Sequence, residues 1–367
     1  MTGIYIHVPF CLRKCPYCDF YSIEYGGVLV EKYVDAVCRN ISALKDKNIT
    51  ADTVYLGGGT PSLLTPYQVY RILDCVQNNV HLCDAEITIE ANPSSLDFQK
   101  LRDYKSVGIN RLSVGVQSAD DRQLGFLGRL HTADKAAKVV LDAERVGFDN
   151  ISCDLMLGLA GQDIASLKRS ADVLLALPIS HLSAYMLKIE QGTAFDSPKI
   201  KKAVADDELM CDLYLALCEK MYSAGWEHYE ISNFSKKGRR SRHNMKYWTL
   251  EEYIGIGPAA HSDFGGSRYS CPRDFSGFIN SRVQKNVLED ERPDRFSEYV
   301  MLSLRLSEGI AYDKLKALGS REAADAVFRR AIPLVKNGLV ICSDGTLRLT
   351  DNGFLLSNSI IVHLLDC

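Results

Sequence analysis

The chain has 367 residues, 46% of them apolar, which is enough for one large α/β unit and a smaller one. A formal charge of −3 gives no electrostatic reason to expect nucleic acid as a partner, and twelve cysteines in a chain this long are too sparse for a disulfide scaffold and fit a reducing compartment. No apolar run approaches the ~20 residues that cross a bilayer and the N-terminus has no signal-peptide pattern, so a soluble, cytoplasmic protein is expected.

The run Gly3 to Val8 reads as a buried strand that ends at Pro9. Cys11, Cys15 and Cys18 follow in a loop. Thiolate is the standard ligand of iron–sulfur clusters, which normally take four, and Phe20 stands where a nearby fourth cysteine would be. A [4Fe–4S] cluster on three cysteines leaves one iron open to chelation by the amino and carboxylate groups of S-adenosyl-L-methionine. The competing readings are a zinc site, which wants four ligands, or three unrelated thiols. His7 is a candidate fourth ligand, but it precedes the cysteines on the strand.

Helical spacing then runs from Val30 to Leu44, and Asp52 to Leu56 reads as a strand leading into Gly57-Gly58-Gly59-Thr60-Pro61. Thr65, Pro66 and Gln68 have the pattern of a capped helix start. The alternation repeats. Strands are expected at Glu86–Ala91, Arg111–Val116, Ile151–Leu157 and His181–Leu187, and helices after Asp97, from Thr132 to Val146, from Asp163 to Leu177 and from Asp206 to Tyr222. Six β/α units imply an α/β fold with a parallel sheet, either a partial (β/α)6 barrel or a doubly wound sheet. In a barrel the chemistry gathers at the C-terminal strand ends, where the cysteine loop would lie.

The glycines at 57–59 let a ligand approach the backbone, or make only a tight turn. Glu90, Gln117, Arg129 and Asp154 lie at or just after other strands. Each is weighed equally against a satisfied structural hydrogen bond. From Trp226 to about Asp290 the pattern reads as irregular. It includes the basic residues Lys236, Lys237, Arg239, Arg240 and Arg242, the run from His243 to Trp248, and a glycine-rich piece ending at His261. Helices near Phe296–Leu306, Tyr312–Leu318 and Glu322–Lys336 follow. A hairpin, Val340–Cys342 with Leu347–Leu349, turns at Asp344-Gly345, and a last helix starts near Thr350. The expected division is a barrel at 1–225, an irregular segment at 226–290 and a smaller helical or winged-helix-like domain at 291–367.

Four motifs in order resemble the oxygen-independent coproporphyrinogen III oxidase family of the radical SAM superfamily. They are Tyr5-x-His7-x-Pro9-Phe10-Cys11-x3-Cys15-x-Tyr17-Cys18-x-Phe20, the Gly57–Pro61 run, Gly115-x-Gln117-Ser118 and Asp154-Leu155-Met156-x-Gly158-Leu159. The resemblance implies a cluster on the three cysteines and S-adenosyl-L-methionine beside it. Tyr5, Gly58 and Glu90 match positions around the cluster-bound molecule. Tyr17, Gly59, Thr60, Gln117, Arg129 and Asp154 match the region where oxidase members place a second.

Three features resemble the heme-chaperone branch instead of the oxidases. Phe20 replaces an extra cysteine, only four residues precede Tyr5, and His243-Asn244-x-x-Tyr247-Trp248 matches a motif linked to heme binding. The branch implies binding of heme and its transfer to a heme-acceptor protein, reached in solution or by peripheral contact with a membrane. It also implies a reductant such as a flavodoxin or ferredoxin. His243 would supply an axial imidazole, Tyr247 and Trp248 flat apolar surface, and the basic residues partners for propionates. Against this stand an ordinary loop histidine and a solvated basic loop, with His261 and His7 as other ligand candidates. The alternative function is a radical SAM enzyme, either the decarboxylating oxidase or a class C-like methyltransferase.

Overall fold

Strand–helix alternation becomes a parallel sheet in the computed structural model, which describes residues 1–366. Cys367, the last residue of the expected C-terminal unit, lies outside them. The six expected strands are β1 (Thr2–Val8), β2 (Thr50–Gly58), β3 (His81–Ala91), β4 (Arg111–Gln117), β5 (Ile151–Leu157) and β6 (His181–Met186). They pair in that order, every pair parallel. This is the expected partial (β/α)6 barrel. A doubly wound sheet would reverse its strand order partway.

The connecting helices are α1 (Gly27–Ser42), α2 (Pro66–Asn79), α3 (Phe98–Ser106), α4 (Ala133–Arg145), α5 (Ile164–Leu175) and α6 (Asp207–Ser223). Their starts follow local chemistry. Thr65 and Gln68 form a capping box with Pro66 in the first turn, and Asp97, Thr132, Asp163 and Asp206 cap the later helices. Each helix buries its apolar stripe on the sheet, as Val30, Val34, Val37 and Ile41 of α1 do.

The stretch read as irregular is not irregular. It holds β7 (Glu227–Glu230), β8 (Asn233–Ser235), helix α7 (Arg242–Thr249), and then β9 (Tyr253–Ile256), β10 (His261–Phe264), β11 (Ser267–Ser270) and β12 (Val287–Asp290). β9 joins the sheet parallel to β1, and β8 joins antiparallel to β6. The sheet thus grows to twelve strands in the order β12-β11-β10-β9-β1-β2-β3-β4-β5-β6-β8-β7 and stays open at both ends. Strands of three or four residues are too short for periodicity to register, so their neighbours decide them.

The C-terminal part has helices Arg295–Ser303, Tyr312–Leu318 and Arg321–Lys336. The hairpin Val340–Ser343 with Thr346–Leu349 turns through Asp344 (φ 50°) and Gly345 (φ 72°), the backbone a tight hairpin requires. A third strand, Ile310–Ala311, completes a winged-helix-like sheet. Among the described residues no helix is long and apolar enough to cross a membrane.

Candidate cluster and cofactor site

The parallel strands bring their C-terminal ends to one rim, which encloses a cavity of about 510 Å3. β1 delivers the cysteine loop there. The amide of Ile23 donates to Pro9 O (2.7 Å), that of Tyr25 to Cys11 O (3.0 Å) and that of Cys18 to Cys15 O (3.1 Å). The loop is thereby folded back with Cys11, Cys15 and Cys18 all half-buried on the cavity wall. Cys11 Sγ lies 3.6 Å from Thr60 Oγ1, and Arg129 Nη1 lies 3.7 Å from Cys15 Sγ. Burial, then the neighbouring Cys15 and Cys11, push the Cys18 thiol up.

His7 does not supply a fourth ligand. Its Nε2 bonds Tyr21 O and its Nδ1 bonds Tyr5 Oη, both at 3.0 Å. Among the described residues the cavity wall has no further cysteine and no histidine. Three thiols with no fourth cysteine or histidine beside them fit a cluster that keeps one iron open better than they fit the usual cysteine and histidine set of a structural zinc ion.

The glycine run closes the rim against the loop. Gly59 N donates to Val8 O and Thr60 N to Phe10 O, both at 2.8 Å. A Cβ at Gly59 would meet Phe10 O at 2.7 Å and Pro9 C at 3.0 Å, both backbone atoms. Gly59→Ala is therefore expected to pry the loop from the end of β2 and to cost about 1–3 kcal/mol of stability. Urea unfolding and the iron content after reconstitution would show it. Equal values for variant and parent would mean that the loop moves freely away from β2.

Glu90 accepts from Tyr55 Oη (2.8 Å) and Gly58 N (3.0 Å), and burial pushes its carboxyl up. Asp154 is pushed up to about 7, first by burial and then by the charge of Glu90. Gln117 ends β4 with φ 74°, a strained value for a non-glycine residue and one that clusters at ligand sites. Arg129 anchors one arm on Gly115 O (2.7 Å), while its buried Nε has no partner.

Of the nine residues expected around S-adenosyl-L-methionine, eight line the cavity: Tyr17, Gly58, Gly59, Thr60, Glu90, Gln117, Arg129 and Asp154. Tyr5 does not. It lies deeper in the barrel, its ring near Tyr55 and His243 and its hydroxyl on His7. The sequence reading missed Asn92, Met156 and Tyr185. Met156 lies two residues after Asp154, hence on the same face of β5, and pairs in register with Tyr185. That period-2 signal would have found both.

The heme motif is not at this rim. Helix α7 packs against the N-terminal halves of β1 and β2, at the opposite end of the barrel. Gly3 makes room for it: a Cβ there would meet Lys246 Cδ at 2.9 Å and His243 Cε1 at 3.0 Å. His243 is 1% exposed. Its Nδ1 bonds Thr53 Oγ1 (2.8 Å) and its Nε2 bonds Tyr247 Oη (2.9 Å). Burial, then the Lys246 charge, hold its pKa down at about 3. The ring is therefore neutral but has no free nitrogen, so in this conformation it is not presented as an axial ligand. Tyr247 packs edge-on to Tyr253 at 4.6 Å, and Trp248 is half-buried.

Four of the five basic residues are also engaged, and Lys237 is exposed. Arg239 pairs with Asp149 (2.9 Å), Arg240 with Glu308 and Glu227, and Arg242 with Asp52 (3.5 Å), while Lys236 lies over Trp226. His261 is exposed and pairs with Glu289 at 3.2 Å.

An open parallel barrel with a three-cysteine loop after its first strand is the radical SAM architecture. Residues 5–174 match the Radical SAM superfamily and residues 290–356 the HemN C-terminal domain. Coproporphyrinogen III oxidase (HemN) from Escherichia coli shares the fold, with a TM-score of 0.83 over 99% of this chain and 89% of that chain at 19% identity. Heme chaperone HemW of Bacillus subtilis (strain 168) is 32% identical, covering 98% of this chain and 98% of its own. Heme chaperone HemW of Escherichia coli (strain K12) is 32% identical over 98% and 97%, and the radical S-adenosyl methionine domain-containing protein 1, mitochondrial, of Bos taurus is 36% identical over 87% and 73%. The chain belongs to the HemW heme chaperone family.

Proposed function

We propose that this protein is a heme chaperone: it binds heme, holds a [4Fe–4S] cluster on Cys11, Cys15 and Cys18 with S-adenosyl-L-methionine beside it, and passes heme to an acceptor protein. Kinship along nearly the whole chain carries the chaperone reading. The three-thiol donor set and the cavity beside it, with Glu90, Gln117, Arg129 and Asp154 on its wall, support the cofactors. When bound, a cluster of this kind supplies an electron to the sulfonium of S-adenosyl-L-methionine. The protein groups do the positioning. Arg129, with its unpartnered Nε, faces a carboxylate, and Glu90 and Asp154 accept from amino or ribose hydroxyl donors. The units 1–225, 226–290 and 291–367 are proposed to divide the work, with the cofactors confined to the first. A flavodoxin or ferredoxin is the proposed reductant and the cytoplasm the proposed location.

Heme is proposed to meet the apolar mouth of the cavity, not His243. Phe20 is 66% exposed there and Tyr185 is 41% exposed. Single exposed apolar residues are common, but these two line a ligand-sized cavity.

The test is an anaerobic heme titration of the cluster-reconstituted protein by absorption, beside an assay for coproporphyrinogen decarboxylation. Saturable, stoichiometric heme binding without decarboxylation is expected. Decarboxylation would move the protein to the oxidases. Neither activity would favour a methyltransferase.

Binding of cationic S-adenosyl-L-methionine is expected to depend on pH through Asp154. Below its pKa of about 7 this carboxyl is protonated and offers the cation no charge; above it the carboxylate attracts. Affinity should rise with pH up to about 7 and then level off, by at most about tenfold per unit. Asp154→Asn should flatten the profile. Calorimetric titrations at several pH values would settle it, and an unchanged slope in the variant would remove Asp154 from the binding site.

A further inference from the structure

We propose that Cys218, His228 and Asp351 form a second metal site, for a single zinc-class divalent cation, where the barrel meets the C-terminal part. This inference does not rest on the chaperone reading. Cys218 comes from α6, His228 from β7, and Asp351 from the first turn of the short helix capped by Thr350. One ligand atom from each lies within 4.8 Å of the other two. Cys218 Sγ is 3.9 Å from His228 Nδ1, and Asp351 Oδ1 is 3.4 Å from the same nitrogen. Ligands around a tetrahedral zinc ion stand about 3.3–3.7 Å apart, given bonds of about 2.0–2.3 Å. Thiolate, imidazole and carboxylate together suit zinc, not magnesium or calcium.

The imidazole is held for this task. Its ring stacks on Phe234 (4.4 Å, 20°) and packs against Phe354 (5.2 Å). Tyr214 Oη donates its proton to Ile231 O at 2.9 Å, so its oxygen is left to accept from His228 Nε2–H at 3.4 Å. That bond fixes the tautomer and turns the Nδ1 lone pair towards Cys218 and Asp351. Tyr222 Oη, 3.2 Å from Nδ1, spends its proton on Asp351 Oδ1 at 2.8 Å. A lone pair facing a carboxylate oxygen at 3.4 Å repels it unless positive charge lies between them. A metal ion would supply that charge and displace the thiol proton to solvent. Tyr222 is 48% exposed and the Asp351 side chain 30% exposed, which leaves a path for the ion and for water as a fourth ligand.

The test uses the full chain with its cluster loaded, so that Cys11, Cys15 and Cys18 cannot capture zinc. The protein is incubated with zinc chloride, gel-filtered, and analysed for zinc and iron by mass spectrometry. Expected is one zinc per chain in the parent and none in Cys218→Ser or Asp351→Asn, with iron unchanged. Tyr214→Phe, which removes the partner of Nε2 and the bond to Ile231 O but no ligand atom, should weaken zinc binding about 10–100-fold. Should Cys218→Ser fail to fold, Asp351→Asn at its partly exposed position carries the same test. A parent that retains no zinc, or variants that retain as much as the parent, would overturn the site. The first result would leave a proton as the charge between His228 and Asp351.

Discussion

Replacing Cys11, Cys15 or Cys18 by alanine is expected to strip the reconstituted protein of iron and sulfide, from about four of each per chain to below one. Each thiolate would hold one iron of the proposed cluster, and the cavity wall among the described residues has no other cysteine or histidine to take over. Loss of one ligand would leave two irons open to solvent, a state prone to disassembly. The fold should survive, because the loop is pinned by backbone hydrogen bonds from Ile23 and Tyr25, not by the thiols. Far-ultraviolet circular dichroism should match the parent. Cys342→Ala, at an exposed position on the hairpin, serves as the control and should keep its iron. Full iron and sulfide in all three loop variants would sink the cluster assignment.

His243→Ala is expected to destabilise the heme-free protein by about 2–4 kcal/mol, the combined cost of a cavity and two broken buried hydrogen bonds. Thr53 and Tyr247 would each lose their partner, and Tyr55, whose ring packs on the imidazole at 5.1 Å, would lose support beneath Glu90. A heme ligand with no other role would leave the heme-free protein untouched. The acid response separates the two further. The folded protein keeps His243 neutral down to about 3, whereas the unfolded chain takes up a proton below the ordinary value of 6.5. This group's contribution to stability is thus intact above 6.5 and shrinks as pH falls from there towards 3. His243→Gln should remove that part of the acid slope. Urea unfolding of the heme-free proteins between pH 7 and 4 is the measurement. Identical curves for parent and variants would overturn the structural role assigned to His243.

Much of this molecule was legible before its structure because it depends on neighbours close in sequence. The six strands and the helices between them follow from apolar spacing. Their boundaries follow from caps at Thr65, Asp97, Thr132, Asp163 and Asp206, and the hairpin from Asp344-Gly345. The three cysteines and the polar residues at strand ends needed only the rule that parallel strands present their C-terminal ends together.

What the sequence by itself determined, then, is the barrel, its rim and the chemistry gathered there, because period, caps and turns are local signals. Only the tertiary structure decided the rest. Residues 233–235 and 253–256 became sheet because β6 and β1 had open edges to pair. His243 went to the N-terminal end of the strands because Gly3 left space and Thr53, 190 residues away in the chain, offered a hydrogen bond. The basic run turned into ion pairs because Asp149, Glu308 and Asp52 fold against it. Cys218, His228 and Asp351 likewise meet only when the C-terminal part packs on α6. Each of these depends on which distant side chain arrives opposite, and that is settled by packing, not by local pattern.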